Sequence, residues 1–309
     1  MSIDRGLRPL QIPGYEFTPP NLLINPGFEI WQRGTGPFTG TTQSATADEW
    51  WMEYGGGATM SIQQETSEVL FGKESLRWDY NVSSGTNLLK QSFEAWKSLE
   101  DLWITASIWV KAPSYVYFNI RDNTGASGTD EYGSNSGRYP GDNVWRQLTA
   151  WKHIRTGLVS PPNPANWYPH DYPIMIQLTV GGDLAASGSI YVDGAIAAVG
   201  KYPEGVPFRP LHPSVDLNRC KRYYQEYEDY YYDGLWNGNV TSGNNYYRSM
   251  VWPTQLASTP TVTTTNGSNT RFPTTRTIDL VSNKCFREYR TADATGRGNF
   301  HSNVYAEVT

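Results

Sequence analysis

An all-β protein is predicted by three features of the sequence. Aromatic residues are abundant, with 12 Trp, 21 Tyr and 10 Phe among 309 residues, and aromatics, Thr and Val suit the pleated, half-covered surface of a sheet. Gly, Pro, Asn or Ser interrupts the apolar rhythm every dozen residues or so, which is turn chemistry. Residues 75–80 and 104–108 alternate polar and apolar, and 174–178 places Ile174, Ile176 and Leu178 on one side with Gln177 on the other, so each reads as a strand with one buried face.

Taken in order, residues 1–20 contain Pro9, Pro13, Pro19 and Pro20 and no periodicity, which disfavours helix and central strand and predicts an extended arm. The stretch NLLINPGFEIWQRGT at 21–35 follows. Its three apolar residues Leu22, Leu23 and Ile24, the turn Asn25-Pro26-Gly27 and a renewed apolar rhythm around Glu29 predict an opening strand. Strands continue to 189–193. Residues 200–210 are rich in Pro and Gly, and ten of the 12 Trp precede them, so the domain boundary is set there, giving domains 21–203 and 204–309. The second domain carries Tyr at 223–232, more Tyr at 246–253 and Thr at 259–265. Such runs suit strands half covered on both faces, as when sheets of different subunits pack. About 100 residues suffice for a small sandwich with a modest core. A short helix is expected at 217–221, capped by Ser214 or Asp216.

Charge and composition exclude several classes. The net charge is −5, with 14 basic against 20 acidic residues in 1–203 and 11 against 10 in 204–309. No basic patch emerges, so nucleic acid is not an expected partner. No apolar run approaches the ~18 residues of a membrane span, and none is expected to insert. The first residues lack an apolar core of the secretory kind, so synthesis in a cytoplasm is expected. Cys220 and Cys285 have no metal spacing and read as reduced, partly buried thiols. His153, His170, His212 and His301 are scattered, and the acids Asp48-Glu49 and Asp130-Glu131 are adjacent, so in a strand they face opposite ways. No catalytic residue, phosphate loop or zinc motif is assigned, and the chain is not expected to be an enzyme.

Period two nominates a binding face. With Ala106, Ile108 and Val110 inward, Thr105, Ser107, Trp109 and Lys111 point out; with Val116, Phe118 and Ile120 inward, Tyr115, Tyr117, Asn119 and Arg121 point out. The two strands are joined by only residues 112–114, so their outer sides are expected to share one face, with Gln177 beside it. Trp109, Tyr115, Tyr117, Asn119, Arg121 and Gln177 are thus candidate glycan-binding residues: an aromatic plane covers a pyranose face while amides and a guanidinium fork to hydroxyls. The same residue types also anchor contacts between subunits. Trp78 and Trp145 are assigned to the core.

Five segments in order, NLLINPGFE at 21–29, DEW at 48–50, GKESLR at 72–77, SIWVKA at 107–112 and IYVD at 190–193, resemble the jelly-roll carbohydrate-binding modules appended to xylanases. The wording FEIWQRGT at 28–35 looks more like the version in tailed-phage virion proteins. DLNRCKRYYQ at 216–225, Pro253, STPT at 258–261 and VYAEV at 304–308 are similar to the C-terminal domain of phage tail-fibre proteins. The resemblance implies an arm, a jelly-roll β-sandwich and a second small β-sandwich that forms a homotrimer. It also implies a structural Ca2+ between Glu29 and Asp193, the metal site. The function implied is that of a phage virion structural protein, a tail-fibre or appendage component in host-surface glycan attachment, docked to other virion proteins through the arm. Capsid decoration or a head fibre with a purely structural jelly roll is the alternative.

Overall fold

The structure, a computed structural model, describes residues 19–39, 43–55, 59–81, 86–94, 96–122, 131–132, 137–139, 141–158, 173–181, 187–227, 236–252, 255–256, 260–270, 277–279 and 281–307. The arm expected at 1–20 therefore lies outside the described residues, save Pro19 and Pro20.

The first block is built from β1 (Phe38–Thr39), β2 (Gln43–Ala45), β3 (Trp51–Gly55), β4 (Thr59–Glu65), β5 (Ser75–Asn81), β6 (Thr86–Ser92), β7 (Trp103–Lys111), β8 (Val116–Asp122), β9 (Glu131–Tyr132), β10 (Gly137–Tyr139), β11 (Arg146–His153), β12 (Ile174–Gly181) and β13 (Ser187–Val199). A six-stranded sheet runs β1-β4-β5-β13-β7-β11 and a seven-stranded sheet runs β10-β8-β12-β6-β3-β2, with β9 also on β8. One sheet sends Leu76, Trp78, Ile104, Ile108 and Val192 inward, the other Leu89, Phe118, Ile120, Ile176 and Leu178, and together they form one buried core. This is an antiparallel sandwich of the jelly-roll type. Trp78 is core as expected, but Trp145 precedes β11 and is only half-buried.

The stretch 21–35 corrects the expectation of an opening strand, because it forms turns. Asn25 has φ 47° and Phe28 φ 56°, values that a strand does not contain. The Asn25 side chain closes the turn: its amide donates to the Ile30 carbonyl at 2.8 Å and its Oδ1 accepts from Ile30 N at 3.0 Å. Alternation along this stretch therefore serves two cores. Leu23 and Phe28 enter the sandwich core, whereas Ile24 and Ile30 pack with Cys220, Tyr223, Trp252, Leu256 and Phe286.

After β13, residues 200–208 lie across the outer face of the six-stranded sheet. The Thr105 hydroxyl donates to the Gly200 carbonyl and accepts from Tyr202 N, and Ser107 Oγ accepts from Val206 N. Val206 and Phe208 pack there with Ile196, Ala198 and Phe71.

The second block opens with α1 (Pro213–Cys220). It begins earlier than expected and its cap is His212, whose ring accepts from Ser214 N, with Pro213 at the first helical position where a missing N–H costs nothing. Asp216 is not a cap. It is buried, and it accepts from Asn25 N at 3.1 Å, tying the helix to the opening turn. The strands β14 (Tyr224–Tyr227), β15 (Trp236–Val240), β16 (Asn245–Val251), β17 (Thr261–Thr270), β18 (Thr277–Asp279), β19 (Cys285–Thr291) and β20 (Gly296–Glu307) form two antiparallel sheets, β14-β20-β15 with β17 on β20, and β16-β19-β18.

Candidate functional site

The candidate glycan residues do not share one face. β7 pairs with β11 and β13 in the six-stranded sheet, whereas β8 pairs with β12 and β10 in the seven-stranded sheet. Residues 112–114 therefore cross from one sheet to the other instead of turning a hairpin. Inward and outward parity is as expected on both strands, but their outer sides are opposite faces of the sandwich. Trp109 accordingly lies beside Phe71, ring centroids 6.0 Å apart and edge-on, and Phe71 in turn contacts Phe208 at 5.0 Å. Over β7, β11 and the end of β13 that face is covered by the chain's own residues 200–208, and Trp109 packs at the edge of this cover. Tyr115 sits in the connection before β8 and is 39% exposed.

The other four do come together, on the outer face of the seven-stranded sheet. Register places Tyr117 opposite Thr179, Asn119 opposite Gln177 and Arg121 opposite Met175. Gln177 then faces Lys90, and Lys90 faces Trp51. The middle cross-strand row is Trp51, Lys90, Gln177 and Asn119, all buried, with Asn119 and Gln177 each 5% exposed. One flanking row, Glu53, Leu88, Thr179 and Tyr117, is half-exposed; the other holds Ser92 and Arg121, also half-exposed, around a buried Met175. The pattern is a recessed polar floor between two rims, running across the strands.

Side chains on this floor hold one another. Arg121 Nη1 donates to Gln177 Oε1 at 2.9 Å, and Gln177 Nε2 donates to Thr179 Oγ1 at 2.9 Å. Lys90 is paired with Glu53 at 2.9 Å. Thr179, Lys90, Glu53 and Trp51 escaped the sequence reading, since their strands are brought beside β8 only by long-range pairing.

Glu29 and Asp193 converge on the loop before β5. Glu29 Oε1 accepts from Lys73 N at 2.7 Å and Glu74 N at 3.3 Å; Asp193 Oδ2 accepts from Leu70 N at 2.9 Å and Phe71 N at 2.8 Å. A bulge in β13 after Asp193, with Gly194 at φ 53°, directs that carboxylate. Gly72, at φ 69°, is in the left-handed region that favours glycine, and a Cβ there would stand 1.9 Å from Glu29 Oε1 and push that carboxylate aside. Burial pushes the Asp193 carboxyl up to about 6, the three amide bonds oppose this, and the Glu29 charge adds to it. Two neighbouring carboxylates are of the kind a hard cation takes, although amide N–H groups already occupy one oxygen of Glu29 and both of Asp193. Among the described residues no group of three or more His, Cys, Asp or Glu gathers at metal-binding distance.

The adjacent acids diverge. Asp48 is buried against Gln32 Nε2 at 2.6 Å and Arg33 Nη1 at 3.2 Å, while Glu49 has φ 67° and borders a cavity of about 100 Å³ with Ile24, Gln91, Glu94, Arg219 and Tyr223. Asp130 and His170 lie outside the described residues, and nothing is described of the side chains of Glu131 and His301. Burial raises the Cys220 thiol far above its ordinary range, so it is inert packing. No helix among the described residues is long and apolar enough to cross a membrane.

No family model and no curated protein matches the chain. Solved structures similar to it include the CBM22-1 xylan-binding domain from Paenibacillus barcinonensis, 15% identical, with a TM-score of 0.38 over 61% of this chain and 99% of that one. A family 11 carbohydrate-binding module of Clostridium thermocellum is also 15% identical, with a TM-score of 0.34 over 50% of this chain and 91% of that one. The enzymatically active domain of bacteriophage CBA120 tailspike protein 4 is 14% identical, with a TM-score of 0.37 over 58% of this chain. This chain spans only 21% of that tailspike domain's length.

Proposed function

We propose that the chain binds a glycan on the outer face of the seven-stranded sheet and serves host attachment as part of a phage tail fibre or similar appendage. The observation that carries the binding reading is the recessed floor of Gln177 and Asn119 beside Tyr117, Thr179 and Arg121. Its polar groups are held in place before a ligand arrives, which lowers the ordering cost of binding, and Tyr117 offers a ring at the rim. The virion reading rests on the sequence resemblance. The second block is the trimerising part in this reading, because its Tyr- and Thr-rich strands suit cover on both faces by neighbouring copies.

The test is adhesion of the full chain to an array of neutral oligosaccharides and to host surface polysaccharide, with immunogold labelling of particles. Attachment predicts saturable glycan binding and label on tail appendages. Label confined to capsids, with no glycan bound, makes the protein a decoration component instead.

A further inference from the structure

Two amides stand side by side on the site floor in opposite states. Gln177 has both ends engaged, its Oε1 accepting from Arg121 and its Nε2 donating to Thr179. Asn119, directly across the β8–β12 ladder, is equally buried, yet its Oδ1 has no hydrogen-bond partner. A buried acceptor left unpaired destabilises the folded state, and such groups are uncommon. A leucine, branched at the same carbon, would stand in the same place on the sheet without that cost.

We propose that Asn119 is a specificity-determining residue: its Oδ1 accepts a hydrogen bond from a ligand hydroxyl, so the site selects a polyhydroxylated ligand with a hydroxyl at that point. The inference rests on the glycan reading above. Thr179 supplies the complement. Its Oγ1 already accepts a hydrogen bond from Gln177 Nε2, so its own O–H is left to donate. Thr179 and Asn119 are diagonal neighbours, roughly 7–8 Å apart by sheet geometry, and one sugar ring, whose hydroxyls both donate and accept, can meet an acceptor and a donor so spaced. Arg121 and Gln177 are positioning residues that fix the direction of the Thr179 hydroxyl. A site built around a buried acceptor discriminates strongly against an analogue lacking the matching hydroxyl, because the acceptor then stays unpaired.

The experiment uses the full chain and two readouts. In melting curves, Asn119→Leu is expected to match or exceed the wild type, whereas Gln177→Leu, which strips partners from Arg121 and Thr179, is expected to melt lower. In titrations with the best oligosaccharide from the neutral array and its monodeoxy derivatives, one derivative should bind the wild type at least tenfold more weakly than its parent. Asn119→Leu should lose at least tenfold for the parent and be indifferent to that same deoxy change. A lower melting temperature for Asn119→Leu makes the amide structural and overturns the proposal, as does undiminished affinity in that variant. If no array member binds the wild type, the glycan reading falls and takes this inference with it; if binding is intact but blind to Asn119, the inference alone falls.

Discussion

At the scale of single residues, buried carboxyls set the pH response. Burial outweighs the attraction of Arg33 and the Gln32 bonds at Asp48 and pushes its carboxyl from 3.8 up to about 6. An acid raised in this way binds its proton more tightly folded than unfolded. Stability is then highest below about pH 4, falls as pH rises toward 6, and is flat above. Asp193 acts with the same sign. A rise from 3.8 to about 6 corresponds to roughly 3 kcal/mol, so the melting temperature should decline between pH 4 and 6.5, and less steeply in Asp48→Asn. Equal slopes in the two proteins would mean that Asp48 ionises normally. None of this was legible in the sequence, where Asp48 and Glu49 are simply adjacent acids. Their burial depends on Gln32, Arg33 and α1 arriving from elsewhere. What period two did deliver was side-chain direction: Ala106, Ile108, Val110, Val116, Phe118 and Ile120 all face the core.

At the scale of elements, direction did not reveal sheet membership. A connection as short as 112–114 is compatible with a hairpin or with a crossing between sheets, and the choice is made by partners far along the chain, β12 for one strand and β11 for the other. Trp109 was misplaced for that reason, while Gln177, assigned by parity alone, landed opposite Asn119. The loop before β5 poses a separate question. Glu29 and Asp193, 164 positions apart in sequence, both cap its amides, and we propose that Ca2+ adds to this clasp. Calcium at a hundredfold excess over its dissociation constant should then stabilise the fold by ~2.7 kcal/mol. The melting temperature should rise with calcium and fall back with chelator. Identical melts, with no metal found by mass spectrometry, would leave the two acids as caps for the loop.

At the scale of the whole molecule, the opening turn joins the two blocks, with Leu23 and Phe28 in one core and Ile24 and Ile30 in the other. The second block adds Tyr- and Thr-rich strands whose cover we assign to trimer contacts, on the order of 2,000 Å² or more for an obligate assembly. Light scattering should give about three times 34.8 kDa, and a monomer at micromolar concentration would refute the trimer. The central claim, that ligand meets the seven-stranded face and not the face covered by residues 200–208, is tested most directly by titrating one glycan against Tyr117→Ala and Trp109→Ala. Tyr117→Ala is expected to lose binding, by about tenfold or more for a stacking aromatic, with its melting temperature little changed, while Trp109→Ala binds normally and melts lower. Binding lost in Trp109→Ala and kept in Tyr117→Ala would contradict that claim.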